Sequence, residues 1–187
     1  MMTANANKVG GFNPWATAVH AREEARRRGN RRVGTEDLVL GLLREPDVAQ
    51  VLGCDLGAAR GALDALDRDA LVAVGIDRPL DAPPVPTREP ALGGRRAVLK
   101  AVLTDHLPMT PVAKRAKEAA GKDDHGRWVD TRQKARGWSR ERMLIALLSL
   151  APPDPGAALL DALDVDRTAV GARLTEAIGG PRARDGR

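Results

Sequence analysis

The segment Val33-Gly34-Thr35-Glu36-Asp37-Leu38-Val39-Leu40-Gly41-Leu42-Leu43 is answered later by Trp138-Ser139-Arg140-Glu141-Arg142-Met143-Leu144-Ile145-Ala146-Leu147-Leu148. A second echo precedes each: Phe12-Asn13-Pro14-Trp15-Ala16 returns as Met109-Thr110-Pro111-Val112-Ala113. An internal repeat is a strong constraint, because one unit used twice stacks on its copy to bury a shared apolar face. The offset is 97 at the Phe12/Met109 echo and 105 at the Val33/Trp138 echo. The later copy therefore carries eight more residues, which fall in the polar stretch Gly121–Gly137.

Each copy reads as helix. Asn13 suits an N-cap, and Pro14 suits the first helical position, where its missing N–H has no partner to lose. Trp15, Ala18, Val19, Ala21 and Ala25 recur at helical spacing, Arg26–Arg28 oppose the negative helix end, and Gly29-Asn30 closes the helix. A second helix is expected to start at Thr35 with Thr35 as its cap, and Glu36 and Asp37 favour its positive end. Its apolar face, Leu38, Val39, Leu40, Leu42 and Leu43, is wide enough for a central, buried helix. Glu45-Pro46 stops it. Short helices are expected at Val48–Leu52, Leu56–Leu66 and Asp69–Val74, punctuated by Gly53 and Gly75, with a terminal helix at Arg167–Ile178. Aromatic residues make up only 2% of the chain, so the core must be aliphatic, and the abundance of Ala and Leu favours an all-α fold.

Asp77–Pro90 holds five prolines and reads as a stiff linker rather than helix or strand. The organisation expected is a disordered N-terminus (1–11), a first repeat (12–78), a linker (79–107) with a short helix at Arg95–Leu103, a second repeat (108–179) and a tail (180–187).

The formal charge is +5, with 30 basic and 25 acidic residues. The excess is small, and acids lie among the bases. Arg far outnumbers Lys, as in GC-rich bacterial coding, so the basic pI does not by itself imply a nucleic-acid partner. Cys54 stands alone, which excludes an intrachain disulfide, and it reads as a small buried apolar side chain. No apolar stretch is long enough to span a membrane. Met1–Gly11 has one charge, Lys8, and no apolar run follows, so no secretory leader is expected and a cytoplasmic location is.

The motifs Phe12–Ala16, Glu23-Glu24-Ala25 and Gly34–Leu43, then Met109–Lys114 and Glu141–Leu148, resemble a known set. It is the F-T-P-x-A-K, E-E-A and G-T-E-H-x-L-L-G-L-L set of the amino-terminal domain of Clp-type protein-unfolding ATPases, especially ClpC. The resemblance covers Phe12–Asp77 and Pro108–Gly179. It implies two diverged four-helix repeats with pseudo-twofold symmetry and a non-enzymatic binding role. Asn13 stands where the family has Thr, Asp37 and Arg142 where it has His, and Met109 where it has Phe. No G-x-x-x-x-G-K-[ST] occurs, so the phosphate cradle of the ATPase is lacking.

The resemblance also implies ligand-binding residues. Relatives bind phosphoarginine with a Thr hydroxyl at a helix start and the Glu of G-T-E-H. Carried over, the pairs are Asn13 with Glu36, and Thr110 with Glu141. Helix starts favour anions, and a carboxylate pairs with a guanidinium. Relatives also hold cyclic peptide antibiotics at the start of the second repeat, where this chain offers Met109, Lys114 and Glu118. The bland alternatives are N-capping for Asn13 and Thr110, helix-start charge for Glu36 and Glu141, and an i,i+4 surface ion pair for Lys114 and Glu118. The partners implied are a phosphoarginine-tagged protein, a Clp adaptor, a cyclic peptide, or a ClpC-type ATPase, with modulation or protection of that protease as the outcome.

No catalytic constellation is visible, and no cofactor is expected. His20, His106 and His125 share no metal-ligand spacing, and Asp123-Asp124-His125 reads as a solvated loop. No G-x-S-x-G occurs, and Glu23-Glu24 reads as a solvated helix face. The competing function is a DNA-binding transcriptional regulator, on the basic clusters Arg26–Arg32 and Arg132–Arg142 and a helix-turn-helix-like stretch at Trp138–Leu150. Against it, apolar residues fill much of that stretch and leave little face to read bases.

Overall fold

A computed structural model describes residues 14–76, 107–122 and 139–179. The N-terminus, the proline linker with its expected helix, most of Gly121–Gly137, the tail and Asn13 lie outside the described residues. Eight helices run through the described residues: α1 Pro14–Arg27, α2 Thr35–Leu42, α3 Pro46–Leu52, α4 Leu56–Ala73, α5 Pro111–Ala119, α6 Arg140–Leu148, α7 Pro155–Ala162 and α8 Arg167–Gly179. The regular structure of the described residues is helical, and an isolated parallel bridge joins Val33 to Met109.

Local chemistry sets most helix ends. Pro14, Pro46, Pro111 and Pro155 open their helices, at the position where proline loses no hydrogen bond. Asp55, Thr110, Ser139 and Asp154 cap α4, α5, α6 and α7 through their side chains. Gly29, Gly53 and Gly75 adopt the left-handed backbone, at φ 73°, 72° and 81°, and end α1, α3 and α4. One helix runs through Leu56–Ala73 where two short ones were expected. No proline or left-handed turn interrupts Leu66–Asp69, and the internal Gly61 stays helical. Helix α7 was not foreseen as an element. Its signal is Asp154-Pro155, a cap followed by a first-turn proline.

Every residue of α2 is buried. It packs on α1, α4, α5 and α7, while α6 packs on α5, α7 and α8. One apolar cluster joins Leu38, Leu40 and Leu42 of α2 to Met143, Leu144 and Leu147 of α6, and to Leu159 and Leu160 of α7. Burying each such side chain is worth about 1.5–3 kcal/mol relative to leaving it exposed. The α1–α2 contact is closer than leucines allow. A Cβ on Gly41 would stand 2.8 Å from the Thr17 carbonyl oxygen and 2.9 Å from the Ala21 nitrogen. Ala18, Ala21 and Ala25 of α1 are fully buried.

Glu23 and Glu24 are not a solvated face. Both are buried, with Glu24 only 1% exposed. Glu24 accepts hydrogen bonds from Arg60 Nη2 (2.6 Å) and Nε (3.0 Å) and from Arg44 Nη2 (2.8 Å). Glu23 lies 3.3 Å from Arg44 Nη2. Burial alone would raise the Glu24 carboxyl, but its bonds to Arg60 and Arg44 and their charges hold it below its ordinary value. Arg44 follows α2 and Arg60 stands on α4, so these partners arrive only when the chain folds. Cys54 is half-buried against the core, and burial pushes its thiol up.

Candidate functional site

The Val33–Met109 bridge brings two helix starts together. Val33 N–H donates to Pro108 O at 2.8 Å, and Thr110 N–H donates to Val33 O at 2.8 Å. This sets the start of α5 beside the start of α2. The start of α7 joins them through Thr35. Thr35 Oγ1 donates to Asp154 Oδ1 at 2.6 Å and accepts from Gly156 N at 3.0 Å. Thr35 is therefore not the cap of α2. Gly34 holds that position in an extended conformation, and the Asp37 carboxylate returns to Gly34 N–H at 2.8 Å. This is the half of a capping box that a glycine cap permits.

A cleft of about 530 Å³ opens where the three starts converge. It is lined by the turn Asn30–Arg32, by Gly34, Thr35 and Glu36, by Thr110 and Val112, and by Asp154 and Pro155. Two guanidiniums, Arg31 and Arg32, stand exposed at it, and two carboxylates, Glu36 and Asp154, balance them. The start of α7 is already satisfied, because Asp154 Oδ1 takes the Gly156 and Ala157 N–H groups at 2.9 and 3.3 Å. The start of α2 is likewise taken by Asp37 and carries Glu36, and the start of α5 opens on Pro111 with Thr110 on Ala113 N, so the groups at the cleft that favour an anion are Arg31 and Arg32. Thr110 Oγ1 accepts from Ala113 N at 3.2 Å, and a hydroxyl that accepts still carries a donor.

Glu36 is folded back over Gly34, so closely that a Cβ there would collide with its carboxylate. Its side chain is 10% exposed, and Oε2 is buried without a hydrogen bond. Oε1 lies 3.5 Å from Arg28 Nη1. The same Nη1 lies 3.5 Å from Asp37 Oδ1, and Arg28 Nη2 bonds Asp67 Oδ2 of α4 at 2.7 Å. Three carboxylates thus meet one guanidinium. Burial, reinforced by the Glu36 charge, pushes the Asp37 carboxyl up to about 7, against the pull of Gly34 N–H and Arg28. Arg28 is raised above its ordinary value, as Asp67, Asp37 and Glu36 outweigh its own burial.

Of the expected site residues, the cleft unites Glu36 with Thr110, one from each half of the chain. Glu141 does not line it. Glu141 accepts from Ser139 Oγ at 2.7 Å, close to the cap of α6. Met109 is half-buried in the bridge and packs against the core. Lys114 and Glu118 form an i,i+4 ion pair at 4.0 Å outside the cleft lining, with Lys114 67% exposed. Asn13 falls outside the described residues. Reading the motifs missed Arg28, Arg31, Arg32, Thr35 as a cross-helix link, Asp37 and Asp154. Only Asp154 carried a local signal, its cap-and-proline pair.

Among the described residues, no group of three or more His, Cys, Asp or Glu could hold a metal ion, and no helix is long and apolar enough to cross a membrane. Arg140, from the second basic cluster, is engaged by Glu45 and Asp47, each at 3.0 Å. Helix α6 buries Met143, Leu144, Leu147 and Leu148. Comparison of the chain with protein-family models, with curated proteins and with solved structures gives no match.

Proposed function

We propose that this chain is a non-enzymatic binding module of the ClpC amino-terminal kind, and that its α2/α5/α7 cleft takes a dipolar ligand of the phosphoarginine type. The observation that carries the reading is the meeting of Glu36 and Thr110 in one cleft with Arg31 and Arg32. Glu36 lines the cleft with a carboxylate, and a guanidinium supplies donors to a carboxylate in a planar fork. The two exposed guanidiniums of Arg31 and Arg32, which line the same cleft, suit the phosphate. The pairing differs from the motif-based one: Thr110 works with Glu36 across the two halves. Among the described residues, four helices precede the linker and four follow it, which supports a two-repeat arrangement. A tagged protein, a Clp adaptor or a cyclic peptide would then be captured without unfolding activity, which modulates or protects a ClpC-type protease.

Calorimetry with a phosphoarginine peptide and with a Clp-directed cyclic peptide tests the reading. The expected result is sub-millimolar binding of the phosphoarginine peptide, weakened at least tenfold by Glu36→Gln and by the double change Arg31→Ala, Arg32→Ala. Absence of binding by both peptides would remove the reading. Cyclic-peptide binding alone, sensitive to Lys114→Ala, would move the site to the Lys114–Glu118 face.

A further inference from the structure

The cleft has an unusual floor. Glu36, which lines it, is adjacent to Asp37, which is 0% exposed, and both carboxylates face the same Arg28 Nη1. That guanidinium is already bonded more closely to Asp67. One positive charge cannot neutralise three negative ones, and two of these are out of water. Like charges in a shared buried site favour keeping a proton on one of them. Of the other residues lining the cleft, Arg31 and Arg32 are cationic, and their exposure to water weakens their pull on the buried Asp37. They stand on the preceding turn, α7 brings the further carboxylate Asp154, and α5 brings the uncharged Thr110 and Val112 to the cleft.

We propose that the Glu36–Asp37 pair retains one proton, seated on Asp37, and that a cationic group entering the cleft to meet Glu36 expels it to solvent. This rests on the cleft being a ligand site, and it adds how that site is regulated. Asp37 touches the cleft only through its neighbours. It accepts the Gly34 N–H at the cap of α2, and it shares Arg28 with Glu36. It is thus a positioning residue. With the proton in place the floor carries one negative charge fewer, and the free cleft is stable without a ligand. When a guanidinium or ammonium arrives, the added positive charge makes ionised Asp37 affordable, and the O–H bond of its carboxyl breaks as the proton leaves. No other bond changes. Binding of a cation therefore strengthens as pH rises, and a proton is released on binding.

The Gly34 amide proton reports the charge on Asp37, because it is bonded to Oδ2. The experiment is a pH titration of this amide resonance in the full chain, in 100 mM sodium chloride and in 100 mM guanidinium chloride. In sodium chloride we expect a single step near neutral pH, absent in Asp37→Asn and moved down by about one pH unit in Glu36→Gln. In guanidinium chloride the wild-type midpoint should fall, while that of Glu36→Gln should stay. No step above pH 5 would overturn retention of the proton. A midpoint equal in the two salts would overturn its displacement by a cation. Neither result depends on whether a phosphoarginine peptide binds, so failure of the functional reading remains separately visible.

Discussion

Thr35 Oγ1 donates a 2.6 Å hydrogen bond to Asp154 Oδ1, joining the start of α2 to the start of α7 across 119 residues of chain. The hydroxyl also accepts from Gly156 N, and a Cβ on Gly156 would stand 2.8 Å from Thr35 Oγ1, so the two helix starts are in direct contact. Thr35→Val keeps the shape and removes both bonds. Asp154 retains its own capping bonds, but the cross-helix link is lost. The expected cost is about 1–2 kcal/mol in urea-monitored unfolding. Unchanged stability would mean the bond contributes nothing net.

Gly41→Ala tests the α1–α2 seam. The new Cβ would meet backbone atoms of Thr17 and Ala21, which cannot rotate aside as a long side chain could. Ala has the higher helix propensity by about 1 kcal/mol, so propensity alone predicts stabilisation. Overpacking should win, with a net loss of about 1–3 kcal/mol. Thermal unfolding decides the sign.

Glu24→Ala leaves Arg60 without the carboxylate it bonds through Nε and Nη2, and leaves Arg44 with Glu23 at 3.3 Å. Removing one partner of a buried pair costs about 3–5 kcal/mol, and partial exposure of both arginines reduces this to about 2–3 kcal/mol. A lowered carboxyl stabilises the fold above its unfolded value, here 4.5, and that contribution is lost as pH falls further. The variant should therefore unfold at lower denaturant than wild type at pH 7, with the gap closing toward pH 3.

The sequence spoke clearly wherever one residue type decides a backbone. Pro14, Pro111, Gly29, Gly53 and Gly75 mark helix ends that the structure shows, and Leu38–Leu43 foretold a fully buried α2. What it hid depends on long-range pairing. Glu23-Glu24 looked like a wet face because Arg44 and Arg60 reach it only after α2 and α4 are placed. Thr35 looked like a cap because its bond to Asp154 needs α7 folded against α2. For the cleft, the motifs gave Glu36 and Thr110 but not their meeting, which the Val33–Met109 bridge brings about. Arg31 and Arg32 looked like part of an undifferentiated basic run.

Asp37 makes the stability depend on pH in the opposite sense to Glu24. Its carboxyl is raised from 3.8 to about 7 in the fold, so the folded state binds the proton more tightly than the unfolded chain. Stability should fall as pH rises from about 4 to about 7 and level off above. At about 1.4 kcal/mol per pH unit, a rise of roughly three units makes the full effect on the order of 4 kcal/mol. Asp37→Asn can still accept from Gly34 N–H, lacks the charge, and should be more stable than wild type at pH 8. Urea midpoints for both proteins from pH 5 to 8 check this. Parallel curves would contradict it.

If ligand recognition sits in the α2/α5/α7 cleft and uses both halves of the chain, amide chemical-shift mapping with a phosphoarginine peptide will locate it there. Saturable shifts are expected at Arg31, Arg32, Gly34, Thr35, Glu36, Thr110 and Val112, with the Lys114–Glu118 face and Glu141 unmoved. Saturable shifts confined to α6 around Glu141, or none at millimolar peptide, would contradict it.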